Sequence, residues 1–459
     1  GYNPFLKDSC HTWDGISVGD PEGKRDGLYY NTIGGWHDAS DYLQYVTTSA
    51  NAVYQMLFAY TQYPESFGDK YDANGNEGAN SIPDILDEAK WGLDWLVKMN
   101  PDKDTYFNQL ADDRDHVGMT IPSEQKVDYG WGTGNARPVY FCSPKPQGLR
   151  QYKNRSTGLA STLGKYASSF SLGSKVLAKY YPEFSQLIAQ KAKDAYQKGM
   201  ENPGVCQTAC TVSPYFYEED NWADDMQLAA TEIFSLNKSM ETLSQAVNYG
   251  RLEPVTPWMG ADSARHYQWY PFINLGQYQL AKQNINSRIG KEFIRNMRSG
   301  LQRVKDRAQG DAFLNGVPFI WCSNNLTVGL ITQCRLYSEL TGDDTFLEME
   351  TAMRDWLFGV NPWGTCMIVE YPAQGDTPSD PHSAFTHLRN YPITGGLVDG
   401  PIYAPIFKSL RGVHLTREDV YAPFQSDYVV YHDDFADYST NEPTMDGTAS
   451  LTYYLGYLS

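Results

Sequence analysis

The sequence predicts an all-α fold, an (α/α)6 barrel, which is a toroid of helical hairpins with its long loops at one end. Three observations predict it. Apolar positions recur at helical spacing in segment after segment, and consecutive segments are divided by short breaks, the pattern of antiparallel hairpins. Strand signals are nearly absent outside short runs such as Cys366–Tyr371. Two stretches, 100–155 and 359–441, are long, irregular and rich in loop-forming residues, and loops of that length are functional or form subdomains. No short repeat recurs at a fixed period, which disfavours a solenoid; a dozen paired helices can instead close into a ring, although periodicity alone does not reveal closure.

Taken in order, residues 1–48 read as loop, with a twelfth helix placed around 40–48. Val53, Met56, Leu57 and Tyr60 make Ser49–Gln62 a helix. A Gly/Asn-rich loop leads to Pro83–Met99, where Pro83 suits a first turn, acids cluster early, and Ile85, Leu86, Ala89, Leu93 and Leu96 line one face. Trp91 and Trp95 on that helix read as core. Four hairpins follow: Thr157–Tyr180 with Glu183–Gly199, Asp224–Leu236 with Ser239–Tyr249, Ala264–Gln283 with Ser287–Gln309, and Asn324–Thr341 with Thr345–Phe358. Gly447–Leu458 is the last helix. The whole of 1–459 reads as a single domain, any upstream module being absent from this chain.

A formal net charge of −18, with no run of like charges, argues against nucleic acid and anionic membranes as partners. No stretch of about eighteen apolar residues exists to span a bilayer. Aromatic residues make up 14% of the chain, and many of the 34 Tyr and 11 Trp fall in loops, which suits a carbohydrate cleft as well as satellite packing. Seven Cys leave at least one thiol unpaired within the chain; Cys206-x-x-x-Cys210 is the one close pair, open to a local disulfide or half a zinc site.

The stretch with the most chemistry is Gly34-Gly35-Trp36-His37-Asp38-Ala39-Ser40-Asp41-Tyr42. On a helical first turn, Asp38 and Asp41 at i and i+3 would converge on one small object. Carboxylates that close raise each other's proton affinity unless a cation, water or hydroxyl lies between them. The alternative is an N-cap followed by a first-turn acid, with Trp36 in the core. Near the C-terminus, Asp437-Tyr438-Ser439-Thr440-Asn441-Glu442-Pro443 supplies another acid, which reads either as a helix-dipole partner at the start of the last helix or as a catalytic group.

These motifs resemble glycoside hydrolase family 9, the inverting endoglucanases built on an (α/α)6 barrel. Gly34–Asp41 is similar to the family's Gly-Gly-x-x-Asp-Ala-Gly-Asp with Ser40 for the last Gly, and Asp437–Glu442 to its Asp-Tyr-x-x-Asn-Glu. The Ile82–Trp95 run, Gly359-Val360-Asn361-Pro362 and Pro381-His382 resemble three further family motifs, and all five occur in family order from front to tail. The resemblance implies Asp41 as general base, Asp38 as a second holder of the same water, Glu442 as general acid, Tyr438 as a wall of the cleft and His382 as a ligand to a glucosyl hydroxyl. It implies no cofactor for the chemistry. Many members carry a structural calcium at an Asp-Glu pair opening a helix, which here would fall on Asp224 and Asp225, although a third carboxylate is not obvious. Ser383 and Ala384 replace the expected His-Arg after His382, leaving Arg389 as the candidate substitute; Pro443 and Gly447 also depart from the acid motif.

The implied substrate is a β-1,4-glucan: cellulose, mixed-linkage glucan or xyloglucan. Trp36, Trp131, Trp258 and Trp321 are candidate stacking platforms beside Tyr438, each with core packing as its bland alternative. The implied protein is a monomer acting outside the cytoplasm, whether secreted, periplasmic or at the cell surface. The competing readings are an exo-acting β-glucosidase or cellobiohydrolase on the same fold, an epimerase or uronate lyase on the same toroid, and a non-catalytic glycan-binding protein. Three acids weigh against the last, because binding relies more on aromatics and amides.

Overall fold

The computed structural model describes residues 9–116, 118–134, 136–212, 217–252 and 275–459. Among these lie thirteen α-helices. The chain divides into two compact units, the first comprising Gly1–Glu253, Tyr270–Gly276 and Leu455–Ser459, the second Pro254–Trp269 and Gln277–Tyr454.

In the first unit, α1 (Val46–Gln62) packs on α2 (Asp84–Met99) and α3 (Ala160–Val176), α3 on α4 (Pro182–Glu201) and α5 (Ala223–Asn237), and α5 on α6 (Met240–Leu252). The helices alternate in kind. α1 is buried continuously from Val46 to Ala59 and α3 from Ala160 to Ser174, whereas α2 and α4 bury one face only. A helix covered on all sides must approach its neighbours closely, and α3 does so with Ala, Ser, Thr and Gly. In the second unit, α8 (Arg288–Arg307) and α10 (Leu347–Leu357) both pack on α9 (Ser323–Thr341), which is buried over most of its length. Ser287 caps α8, its side chain accepting from the Gly290 amide. The chain then passes α11 (Ala384–Arg389) and α12 (Ala404–Ser409) before ending in α13 (Met445–Leu458).

The expected hairpins therefore form, with ends shifted by a few residues. Only the last part of Ala264–Gln283 lies within the described residues, as α7 (Leu275–Gln283). Four expectations are corrected. Residues 40–45 are not helical: Gln44–Tyr45 is a strand, and α1 begins at Val46. Cys366–Tyr371 is not a strand, keeping only an isolated bridge between Ile368 and Leu397. Trp95 is core, but Trp91 is 48% exposed. None of the seven cysteines is in a disulfide, so Cys206 and Cys210 are not joined.

The irregular 100–155 stretch contributes half of a four-stranded sheet in the first unit. Its order is β1 (Ile16–Val18), β4 (Pro138–Phe141), β3 (Phe107–Leu110), β2 (Gln44–Tyr45), with β1 parallel to β4 and the other pairs antiparallel. In the second unit β5 (Ile402–Tyr403) pairs with β6 (Val429–Val430). The four-stranded sheet gathers the loops around positions 14, 38–42, 111–116 and 137, which the sequence scatters over more than a hundred positions.

The Gly34-Gly35 turn is fixed by its carbonyls. Those of Thr32, Ile33 and Gly35 accept from Trp95 Nε1 (3.1 Å), Lys98 Nζ and Trp91 Nε1 (2.9 Å) of α2, and that of Gly34 from Gln44 Nε2 (2.7 Å). Gly35 has φ +73°, and a Cβ there would lie 2.6 Å from Trp95 Cγ. Gly35→Ala is therefore expected to cost about 1–3 kcal/mol through left-handed backbone and overlap, read as a lower urea midpoint at unchanged slope.

Candidate active site

In the first unit, Asp38 and Asp41 sit on a bend closed by the Asp38 amide donating to the Leu43 carbonyl (2.9 Å), and no helical turn carries them. Asp38 is buried. Its Oδ1 accepts from Thr48 Oγ1 (2.5 Å), in the first turn of α1, and its Oδ2 from Tyr217 Oη (2.6 Å). Asp41 Oδ2 accepts from His116 Nε2 (2.8 Å), while its inward Oδ1 has no protein partner. The same motif thus yields two unlike carboxylates, one with a hydroxyl donor on each oxygen and one with an oxygen left over.

The bend is tied to the sheet by Arg137 and Asp14, both buried. Arg137 donates through Nε (3.1 Å), Nη2 (3.0 Å) and its amide (3.0 Å) to the Asp14 carboxylate, through Nη1 to the Tyr42 carbonyl, and through Nη2 to Gln44 Oε1 (2.5 Å). Asp115, next to His116, is also buried. Loss of solvent, and then the charge of Asp41, push its carboxyl up to about 7.

In the second unit, Asp437 organises the turn before Glu442. Its Oδ1 accepts from the Ser439 amide (2.9 Å) and hydroxyl (2.5 Å), and its Oδ2 from His432 Nδ1 (2.7 Å) and Thr440 Oγ1 (2.8 Å). Asn441 donates to the Asp380 carbonyl (2.9 Å) and Asp433 Oδ1 (3.2 Å) and accepts from Tyr431 Oη (3.0 Å). The Asp399 amide donates to the Glu442 carbonyl (2.9 Å) and the His382 amide to that of Asn441 (2.9 Å), so the backbone at the acid is gripped from two sides. Glu442 itself is half-buried and lies three residues before α13, a correction to its expected place in that helix. Around this turn, Tyr438 meets Trp321 (centroids 5.8 Å) and His382 (6.0 Å). His382 Nδ1 donates to the Phe435 carbonyl, which leaves Nε2 as an acceptor suited to a hydroxyl. Burial, with the charges of Asp437 and Glu442, pushes the Tyr438 phenol up and keeps it a donor.

The model of Glycosyl hydrolase family 9 matches residues 2–455. The chain belongs to that family. Endoglucanase C of Cellulomonas fimi is 25% identical to it over 450 residues, covering 93% of this chain and 37% of that protein. Cellulose 1,4-beta-cellobiosidase of Acetivibrio thermocellus is 23% identical, covering 94% and 49%. The chain thus spans half or less of the length of these two relatives. A metagenome-derived glycoside hydrolase family 9 endoglucanase of known structure superposes with a TM-score of 0.75 at 23% identity, over 98% of this chain and 74% of that one. The fold class is accordingly the all-α (α/α)6 barrel of family 9.

For this family 9 chain, the remaining residues singled out by sequence fall as follows. Trp36 lies against α2: its Nε1 donates to Glu88 Oε1 (2.7 Å), and a Cβ at Gly92 would fall 2.2 Å from its ring. Its indole anchors the motif to that helix. Trp131 is half-buried, with Nε1 donating to the Ala136 carbonyl. Trp258 lies outside the described residues. Arg389 is exposed at the end of α11, where Nη1 donates to the Leu388 carbonyl (3.3 Å). Arg417 places a guanidinium on the loop before His382, donating to the Asp433 carbonyl and to Ser379 Oγ (3.3 Å).

Asp224 and Asp225 open α5, and Asp224 Oδ1 and Asp225 Oδ1 have no hydrogen-bond partner among the described residues. Oxygen ligands stand about 2.3–2.6 Å from a calcium ion, so all must lie within about 5 Å of one another. Among the described residues, only Cys10, His11 and His37 bring ligand atoms of three such side chains within 4.8 Å. Beside the Asp pair stands a lysine ammonium, that of Lys165, 2.8 Å from Asp225 Oδ2.

Sequence reasoning missed His116, Tyr217, Asp115, Arg137 and Arg417. No spacing could have revealed them, since His116 and Tyr217 lie 75 and 179 positions from the acids they hold. Asp115 carries a pH signature. Its carboxyl, ordinarily near 3.8, titrates near 7 when folded, so the native state keeps a proton that the unfolded chain releases. Stability from this group is lost as pH rises from about 4 to about 7, by up to roughly 4 kcal/mol. Asp115→Asn is expected to flatten that decline, measured as urea stability against pH.

Proposed function

We propose that this chain hydrolyses internal β-1,4-glucosidic bonds of a glucan with inversion at the anomeric carbon. Asp41 takes a proton from the attacking water, Asp38 steadies the same water, and Glu442 protonates the leaving oxygen. Inversion needs the base and acid on opposite faces of the sugar, roughly 6.5–9.5 Å apart, so that water fits between base and carbon. The observation that carries the reading is Asp41: one oxygen is held by His116, and the other turns inward without a protein partner. A carboxylate oxygen without a protein donor retains the lone pairs with which a general base takes a proton.

The rest of the assignment follows from local chemistry. Asp38, held through each oxygen by Thr48 and Tyr217, is fixed in place and serves better as an electrostatic support than as the proton acceptor. Tyr438, Trp321 and His382 offer an aromatic wall and a hydroxyl acceptor beside the Glu442 turn, as a glucosyl unit requires. In the reaction the water O–H bond breaks toward Asp41, the new C–O bond forms, and the glycosidic C–O bond breaks as its oxygen takes the Glu442 proton. A polymeric substrate would put this reaction outside the cytoplasm.

Glu442→Gln is expected to lower turnover on glucan by about a thousandfold or more while oligosaccharide binding persists; undiminished hydrolysis by the variant removes Glu442 as the acid. Proton NMR of the first product should contain the α-anomer, and a β-anomer excludes inversion. Size separation of early products from cellulose, barley glucan and xyloglucan distinguishes internal cutting from the cellobiose release named for the Acetivibrio relative.

A further inference from the structure

Trp13 and Tyr29, in the first unit, have ring centroids 6.1 Å apart and planes within 28° of each other, and they are 53% and 47% exposed. A two-stranded ribbon holds them there. Gly15 and Tyr30 exchange backbone hydrogen bonds (2.5 and 2.9 Å), and the Ser17 and Thr32 amides donate to the Leu28 (2.8 Å) and Asp14 (2.9 Å) carbonyls. Successive side chains on such a ribbon point to opposite faces. Tyr30 turns inward onto Phe107 and Phe141 (centroids 4.9 and 6.2 Å), and Asp14 inward onto Arg137, which puts Trp13, Tyr29 and Asn31 on the outer face. The turn between the strands satisfies its charges within itself. Asp20 accepts from Arg25 Nη2 (2.8 Å) and the Lys24 and Arg25 amides (2.9 and 3.0 Å), Asp26 accepts from the Asp20 amide (2.8 Å), and Lys24 pairs with Glu22 (2.8 Å). The ribbon is also continuous with the bend that carries Asp38 and Asp41. Two residues before Trp13, His11 meets His37 (5.4 Å) and Tyr42 (6.1 Å); one residue after it, Asp14 holds the Arg137 that donates to the Tyr42 carbonyl.

We propose that Trp13 and Tyr29 form an auxiliary platform of the first unit on which a glucan chain rests its apolar sugar faces. The proposal rests on the reading of the substrate as a β-glucan and adds a second place where that polymer is held. A sugar ring carries C–H groups on its faces and hydroxyls at its rim, so it takes an aromatic face with neutral hydrogen-bonding groups alongside. Thr12 and Asn31, both exposed and uncharged, flank the two rings in sequence. A protein partner fits less well, because two rings and the half-exposed Leu28 fall short of the roughly 800 Å² per side that a stable interface buries. An anionic partner fits less well again, since the nearby Lys24 and Arg25 are already paired with acids. Anchored by Asp14 and Tyr30 on its inner face, the ribbon presents both rings in place, so little order is lost when a sugar docks.

The test is affinity electrophoresis of the full chain in native gels cast with barley glucan, xyloglucan or hydroxyethylcellulose, with Glu442→Gln as the parent so that the polymer stays intact. The parent is expected to be retarded. Adding Trp13→Ala with Tyr29→Ala should weaken binding by about fivefold, and Trp13→Phe with Tyr29 kept should restore most of it. Equal retardation of the parent and the double Ala variant, or a parent that no glucan retards, overturns the proposal. A change of oligomeric state in the double variant without a change in retardation makes the face a contact between copies and also overturns it. A second measurement needs no substitution at the platform: barley glucan, and not the α-linked dextran, should slow oxidation of Trp13 by N-bromosuccinimide, read by peptide mapping, and an unchanged rate counts against the platform. Absence of hydrolysis by the unsubstituted chain on every glucan removes the substrate reading, whereas hydrolysis with retardation indifferent to Trp13 and Tyr29 removes the platform alone.

Discussion

A buried guanidinium is the constraint on which the first unit's geometry rests. Arg137 and Asp14 neutralise each other in the interior, and the spare donors of the arginine reach the Tyr42 carbonyl and Gln44 Oε1. Such a pair adds little net stability over a well-packed apolar substitute, but removing one partner strands a charge. Its value is therefore geometric. It pins the far end of the bend that carries Asp38 and Asp41, while α2 pins the near end through the carbonyls of residues 32, 33 and 35. A loop held at both ends by buried donors keeps its acids in place without being helical.

The second unit reaches the same end with a carboxylate and an amide. Asp437 uses both oxygens to close the turn, and Asn441 links it to the strands of chain at 380 and 431–433. The polar residues of the Asp-Tyr-x-x-Asn-Glu motif thus divide their work. Asp437 and Asn441 build the turn, and Tyr438 and Glu442 are presented by it. A buried carboxylate that accepts four hydrogen bonds is fully satisfied and specifies one conformation, which a cluster of apolar side chains would not.

Legibility in the sequence followed the range of the interactions. Helix pairs could be read because their signal is local: Pro83–Met99 and Asn324–Thr341 differ from α2 and α9 by a residue. The four-stranded sheet could not, because its strands are two to four residues long and β2, β3 and β4 are buried on both faces, so no alternation marks them. The helix expected at 40–48 failed for a related reason, the Gln44–Leu110 pairing overriding local propensity. At the site, acids with a motif around them were legible, whereas the groups that hold them came from distant loops. Trp91 went the other way, its indole reaching out to the Gly35 carbonyl although its helical position suggested core.

The unlike surroundings of the two front acids suggest why a single motif carries both. If Asp38 and Asp41 shared one environment, their charges would compete and one would take up a proton. Thr48 and Tyr217 donate their hydroxyls to Asp38, and His116 donates to Asp41. Asp115 is the acid that yields, holding its proton up to about pH 7 because burial and Asp41 both oppose its ionisation. The repulsion inherent in clustering acids is thus carried by a residue outside the motif.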